Sequence, residues 1–218
     1  MINSSTFSFL KDLKKNNDRD WFAANKHRYD ASKINVVEFV NALLQEISKT
    51  HPEFKNIEPS KAVMRIYRDV RFSKDKKPYK LNFGINLNPM GKGIEGPGYY
   101  LHIQPNESFI GGGWWMPNAD KLKNIRQEID YNSKEFNAIL NDKKFKKIYG
   151  ALSEEDKLLT TPKGYAKDHP DIELLRLKSF TAFSAIPDAD FSNKKILTQI
   201  SSAIDALKPL IAFLEKAM

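Results

Sequence analysis

A chain of 218 residues with 41% hydrophobic residues, 14 Phe and 3 Trp can bury one sizeable core, and a formal net charge of +8 is too small for a disordered polyelectrolyte. No cysteine is present, which excludes disulfides, thiolate metal sites and a cysteine nucleophile and permits a reducing compartment. The opening residues lack a basic stretch followed by an apolar one, and no apolar run approaches the ~20 residues of a membrane span, so a cytoplasmic protein without membrane association is expected.

The chain begins with helices. Ser4, Ser5 or Thr6 caps one that runs to about Lys15 with Phe9, Leu10 and Leu13 on its apolar face, and Asn16-Asn17 ends it. Asp18 or Asp20 caps a second, which carries Trp21, Phe22 and Tyr29. Val36, Val37, Val40, Leu43, Leu44 and Ile47 have the spacing of one helix face and predict a third over about Ser32–Ser48, stopped by His51-Pro52.

The next stretch, Lys61–Leu87, organises the rest. Two alternating runs, Val63–Phe72 and Tyr79–Leu87, flank a polar segment closed by Pro78, which predicts a β-hairpin with a longer loop. Lys61–Lys80 holds eight Lys and Arg against Asp69 and Asp75, a balance of +6 that accounts for most of the net charge of the chain. Alternation sets Arg65, Tyr67, Asp69 and Arg71 on one strand face, against Met64, Ile66, Val70 and Phe72 on the other. Arg68 falls on the apolar side, so it either pairs with an acid of a packed helix, Asp30 or Glu38, or is turned outward by a bulge. In the second run Leu81, Phe83, Ile85 and Leu87 point to the core, and Lys80, Asn82, Gly84 and Asn86 away from it.

Gly91, Gly93 and Gly96 spell G-x-G-x-x-G. Pro97-Gly98 and another strand follow instead of a helix, so the dinucleotide fold is rejected and a hairpin loop expected. Tyr99–Gln104 is predicted as a strand with Tyr100, His102 and Gln104 outward, and Glu107–Ile110 as the fourth strand of a meander. Gly111-Gly112-Gly113 leads toward a helix that starts near Pro117-Asn118 with Leu122, Ile125 and Ile129 inward. Short helices with Phe136, Ile139 and Leu140 buried, a loop to Lys167, and a short helix opened by Asp168-His169-Pro170 come next. Lys178–Ser184 is a candidate fifth strand. Ser192 caps a final helix with a stripe from Ile196 to Leu214, which Pro209 must kink or split. The expectation is a single α+β domain over residues 1–218, an antiparallel meander of four to five strands with helices covering one face.

Five stretches, FLKDLKKNNDRDWFAANKHRYD, RIYRDVRFSKDKKPYK, GGGWWMP with LKNIRQEI after it, PKGYAKDHPDIELLRLKSF and KPLIAFL, together resemble the bacterial and fungal domain-of-unknown-function 2461 family. The resemblance implies one α+β domain of about this length, and it supplies no catalytic residues.

The residues themselves offer one chemistry. Arginine forks suit bidentate recognition of phosphate or carboxylate, Asp69 is spaced to orient Arg65 and Arg71, and lysines including Lys80 would line the rim. Asn82 and His102 extend that polar face, and the backbone N–H groups of Gly111, Gly112 and Gly113 could form an anion-binding concavity, although glycines are equally expected where an edge strand bends or a backbone passes closely. His102 and Asp69 are the candidates for acid–base work. The four histidines lack metal-ligand spacing, so no metal or other cofactor is expected. The reading is a binder of a small anionic ligand, phosphorylated or carboxylated, with hydrolytic activity on it as an extension. The alternative is a nucleic-acid-binding module, because Tyr67, Phe72, Tyr79, Tyr99 and Tyr100 interleave with the basic residues.

Overall fold

The computed structural model describes every residue except Lys92, which belongs to the glycine-rich loop expected between two strands. Helices α1 (Ser4–Lys15), α2 (Arg19–Ala24), α3 (Lys26–Ile47) and α4 (Pro59–Ala62) precede strands β1 (Phe83–Asn86), β2 (Gly98–Ile103) and β3 (Phe109–Trp114). Helices α5 (Ala119–Tyr131), α6 (Ser133–Asn141), α7 (Lys143–Tyr149) and α8 (Ile172–Leu175) follow, then β4 (Phe180–Ala185) and α9 (Lys195–Glu215). The sheet is antiparallel in the order β1-β2-β3-β4, so the fold is α+β. The backbone groups into two compact units: Met1–Lys92 with Tyr100–Ile110 and Ala185–Ser201, and Gly93–Tyr99 with Gly111–Ser184 and Ser202–Met218.

In the first unit Phe9, Leu10 and Leu13 of α1 are buried, as their spacing predicts. Asp18 accepts the Trp21 backbone N–H at 2.8 Å and starts α2. Helix α3 begins at Lys26, earlier than the stripe alone indicates, because the single residue Asn25 suffices to close α2 and open α3. Phe22 stacks on Tyr79 at 4.0 Å and meets Tyr29 at 5.2 Å, and Tyr29 lies parallel to Phe83 of β1 at 6.2 Å. These rings carry the helical layer onto the sheet.

The predicted first strand is a finding of a different kind. Val63 pairs with Ile85 and Tyr67 with Tyr79, so a four-residue advance on one side meets six on the other. Leu81 and Asn82 bulge out, the ladder breaks, and Val63–Phe72 becomes an irregular arm instead of a strand. Met64 is 37% and Phe72 95% exposed, whereas Ile66 alone of the expected apolar row is fully buried. Arg68 finds its acid inside the arm: Asp75 at 2.7 Å, with the Lys77 carbonyl at 3.1 Å, in place of Asp30 or Glu38.

In the second unit Ile125 and Ile129 of α5, Phe136 of α6 and Phe145 and Tyr149 of α7 are buried. Gly111, Gly112 and Gly113, expected ahead of a helix, are interior residues of β3. A Cβ on Gly111 would stand 2.7 Å from the Ala182 carbonyl, and Gly113, at φ +123°, runs against the Phe180 carbonyl with Thr181 Cα 2.9 Å from where its Cβ would be. Close strand packing, rather than a turn, requires these glycines.

Helix α9 runs through Pro209 without a break. Pro209 is exposed, so the hydrogen bond its ring removes falls on the wet side of the helix, while Leu207, Leu210, Ile211 and Leu214 stay buried. Among the described residues α9 is the one helix long and apolar enough to cross a membrane, and half of that stretch is buried inside the protein.

Candidate functional site on the basic arm and strand β2

Strand β2 alternates as its sequence predicts: Tyr99, Leu101 and Ile103 are buried, and Tyr100 and His102 face the other way with Gln104 just beyond the strand. The register sets Gly84 opposite His102 and Asn86 opposite Tyr100. The Tyr100 ring lies over Gly84, where a Cβ would come within 2.6 Å of the hydroxyl and 3.2 Å of the Met64 sulfur. Only glycine leaves room there.

A line of hydrogen bonds runs along this face. Asn82 Nδ2 donates to the Tyr100 hydroxyl at 3.3 Å, and with His102 neutral and protonated on Nε2 that hydroxyl donates to His102 Nδ1 at 3.1 Å. His102 Nε2 then carries the proton and donates to Gln104 Oε1 at 3.1 Å, and Gln104 Nε2 donates to Glu107 at 2.6 Å. Every donor meets an acceptor in one direction. Phe109 stacks on the His102 ring at 4.7 Å and 8°. Burial pushes the His102 pKa below its ordinary value, with Gln104 and Glu107 opposing, and burial pushes Tyr100 up.

A second group sits on the arm. Arg71 and Asp69 form a bidentate pair, Nε to Oδ1 at 3.0 Å and Nη2 to Oδ2 at 2.7 Å. That pair holds Asp69 below the usual carboxylate range, and Arg65 adds a smaller pull in the same direction. Lys80 is half-buried, and its ammonium makes no hydrogen bond among the described residues. Burial lowers its pKa first, and the neighbouring positive charge of Arg65 lowers it further.

The residues picked from sequence therefore fall into separate places. Asn82 and His102 come together through Tyr100; Arg65, Asp69, Arg71 and Lys80 are electrically coupled on the arm; Gly111, Gly112 and Gly113 belong to the other unit and form no concavity before a helix.

Sequence reasoning did not single out Tyr100 as the link, although its place two residues before His102 on a strand was the available signal. Nor did it find Asn17, whose side chain bonds both the N–H and the carbonyl of Tyr79, at 3.1 and 3.0 Å. Nothing in a single sequence marks a contact across 62 positions.

The second unit holds another polar cluster. Ser133 donates to Asp171, which also accepts from Asn137 at 2.8 Å. His169 Nδ1 accepts the Asp171 backbone N–H at 3.0 Å, and Nε2 donates to Asp130 at 3.0 Å. His169 thus bonds the backbone of Asp171, the residue before α8, whereas its Asp168-His169-Pro170 context predicts a cap on the helix itself. Ser133 is bonded to the acid and not to the histidine, so the cluster lacks the nucleophile–base contact of acyl-transfer chemistry.

A family model described as a conserved hypothetical protein, DUF2461, matches residues 5–213. No curated protein and no solved structure matches the chain.

Proposed function

The chain belongs to the DUF2461 family, and we propose that it binds a small anionic ligand, phosphorylated or carboxylated, at Lys80 and Arg65 beside the polar face of β2. One observation carries this reading. Lys80 is a half-buried cation without a hydrogen-bonded acceptor among the described residues and with a second cation close by, an arrangement an anion would relieve. Asn82 and the Tyr100 hydroxyl supply neutral hydrogen-bonding groups near it in the sequence and along β2. Arg71 stands outside this recognition, since Asp69 already occupies its fork and offsets its charge. Hydrolysis of the ligand would draw on His102, neutral near pH 7 and reached through Tyr100. A reducing, cytoplasmic setting fits the cysteine-free composition.

Thermal denaturation with inorganic phosphate, sulfate and citrate tests the binding. Wild-type protein is expected to gain stability from at least one of them. Lys80→Met is expected to melt higher without ligand, because an uncompensated cation is gone, and to lose the ligand-dependent rise. The reading fails if no anion stabilises the wild type or if the rise survives in Lys80→Met. Turnover of p-nitrophenyl phosphate and p-nitrophenyl acetate, lost in His102→Gln, tests the hydrolytic extension.

A further inference from the structure

Two exposed rings on the arm have no role in the anion reading. Phe72 is 95% and Tyr67 47% exposed, on a stretch where Arg65, Lys74 and Lys77 are exposed as well. The Arg71 guanidinium lies 5.8 Å from the centre of the Phe72 ring. Tyr67 is tilted against Tyr79 at 5.4 Å and Phe22 at 6.0 Å, which fixes its ring while leaving about half of the residue in solvent. The tip between the two rings and Pro78 is held in shape by its own bonds. Arg68 reaches Asp75, the Lys77 carbonyl and Ser73, and Lys76 reaches the Val70 carbonyl at 3.1 Å. Asp69 and Asp75 are each engaged by an arginine, so the remaining cations set the sign of the arm.

We infer that the anion taken by the arm is the phosphate backbone of a single-stranded nucleic acid, with bases stacked on Tyr67 and Phe72 and phosphates against Arg65, Lys74, Lys77 and Lys80. The inference rests on the anion reading for Arg65 and Lys80 and adds the two rings to it. Ordered aromatic faces interleaved with cations are what unpaired bases require, because every base has a face to stack and every step a phosphate to neutralise. A duplex hides those faces, and the arm offers no helix to a groove. A lipid surface calls for a cluster of apolar side chains at the tip, and only Phe72 stands there, with Arg71 at its ring.

Fluorescence anisotropy of a labelled oligothymidylate of about 12 nucleotides, long enough to reach both rings and the cations between them, tests this. Binding is expected to weaken with rising salt. Phe72→Ala and Tyr67→Ala are each expected to weaken it roughly 5- to 150-fold, while inorganic phosphate still stabilises both variants as it does the wild type. Arg65→Ala is expected to weaken the response to both probes. Phe72 is so exposed that its replacement leaves the fold intact. Oligonucleotide binding indifferent to both ring substitutions overturns the inference, because charge alone then suffices. Stabilisation by phosphate without oligonucleotide binding overturns it too, and leaves the anion reading standing. Phe72-dependent sedimentation with phosphatidylserine vesicles in place of oligonucleotide binding transfers the arm to membranes and overturns it as well. If none of phosphate, sulfate and citrate stabilises the wild type and the oligonucleotide does not bind, both readings fall.

Discussion

His102 and His169 each have both ring nitrogens engaged, but by partners of different kinds. His169 holds the backbone N–H of Asp171, just before α8, on one side and the Asp130 carboxylate on the other. His102 sits between two neutral groups, the Tyr100 hydroxyl and the Gln104 amide, under the ring of Phe109. Around His169 the acids are fixed by Ser133, Asn137 and a helix start, so the cluster braces backbone. Around His102 the charge that acts on the ring is Glu107, beyond Gln104, so a proton gained there would reverse the Tyr100 bond and leave the ring facing an asparagine-held hydroxyl. Two bonded histidines thus differ in what they are available for: one is a bracket, the other a poised acceptor.

The sharpest way to break this contrast is to remove a bracket. Asp171 is 8% exposed and serves two side chains, so Asp171→Ala leaves Ser133 and Asn137 without their acceptor and is expected to cost about 3 kcal/mol in denaturant unfolding. A loss below about 1 kcal/mol would make the cluster ornamental. The next effect is expected from Gly84→Ala, whose methyl group collides with the Tyr100 hydroxyl. About 1–3 kcal/mol is expected, together with loss of the Tyr100–His102 bond, seen as a changed imidazole nitrogen resonance. The smallest effect concerns pH. His102 titrates lower in the folded protein than the ~6.5 of an unfolded chain. Between those values the unfolded state binds more protons, so stability rises with pH through that window and is lost as pH falls below about 6.5. His102→Gln is expected to flatten the fall in melting temperature between about pH 7.5 and 5.5; an unchanged slope would place the acid sensitivity elsewhere.

Where sequence and structure agree, burial on one face explains it. Leu10, Val40, Phe83, Ile85 and Leu101 are all buried, because alternation and helical spacing report directly on which side meets the core. The arm shows the limit of that signal. Val63–Phe72 alternates well enough for a strand, but a strand also needs a partner of matching length, and the bulge at Leu81-Asn82 denies it one. The glycines of β3 are the converse case. Their type allows either an anion-binding concavity or a close backbone approach, and the closeness of β4, which leaves no room for a side chain at Gly111 and Gly113, is written in Phe180–Phe183, far along the chain. The candidate site was legible to the same degree: its cations and His102 stand out by type, whereas the Tyr100 link and the occupation of the Arg71 fork by Asp69 depend on distances.

The pair of hydrogen bonds between Asn17 and Tyr79 bears on how the arm forms as well as on its shape. One side-chain amide stands in for a neighbouring strand, donating to the carbonyl and accepting from the N–H of the same residue. Its partner lies 62 positions away, so this contact closes a long loop and contributes only once the α1–α2 turn has formed. The basic arm is expected to order late, after the N-terminal helices have docked. Amide exchange at Tyr79 would report the moment at which the charged surface comes into being.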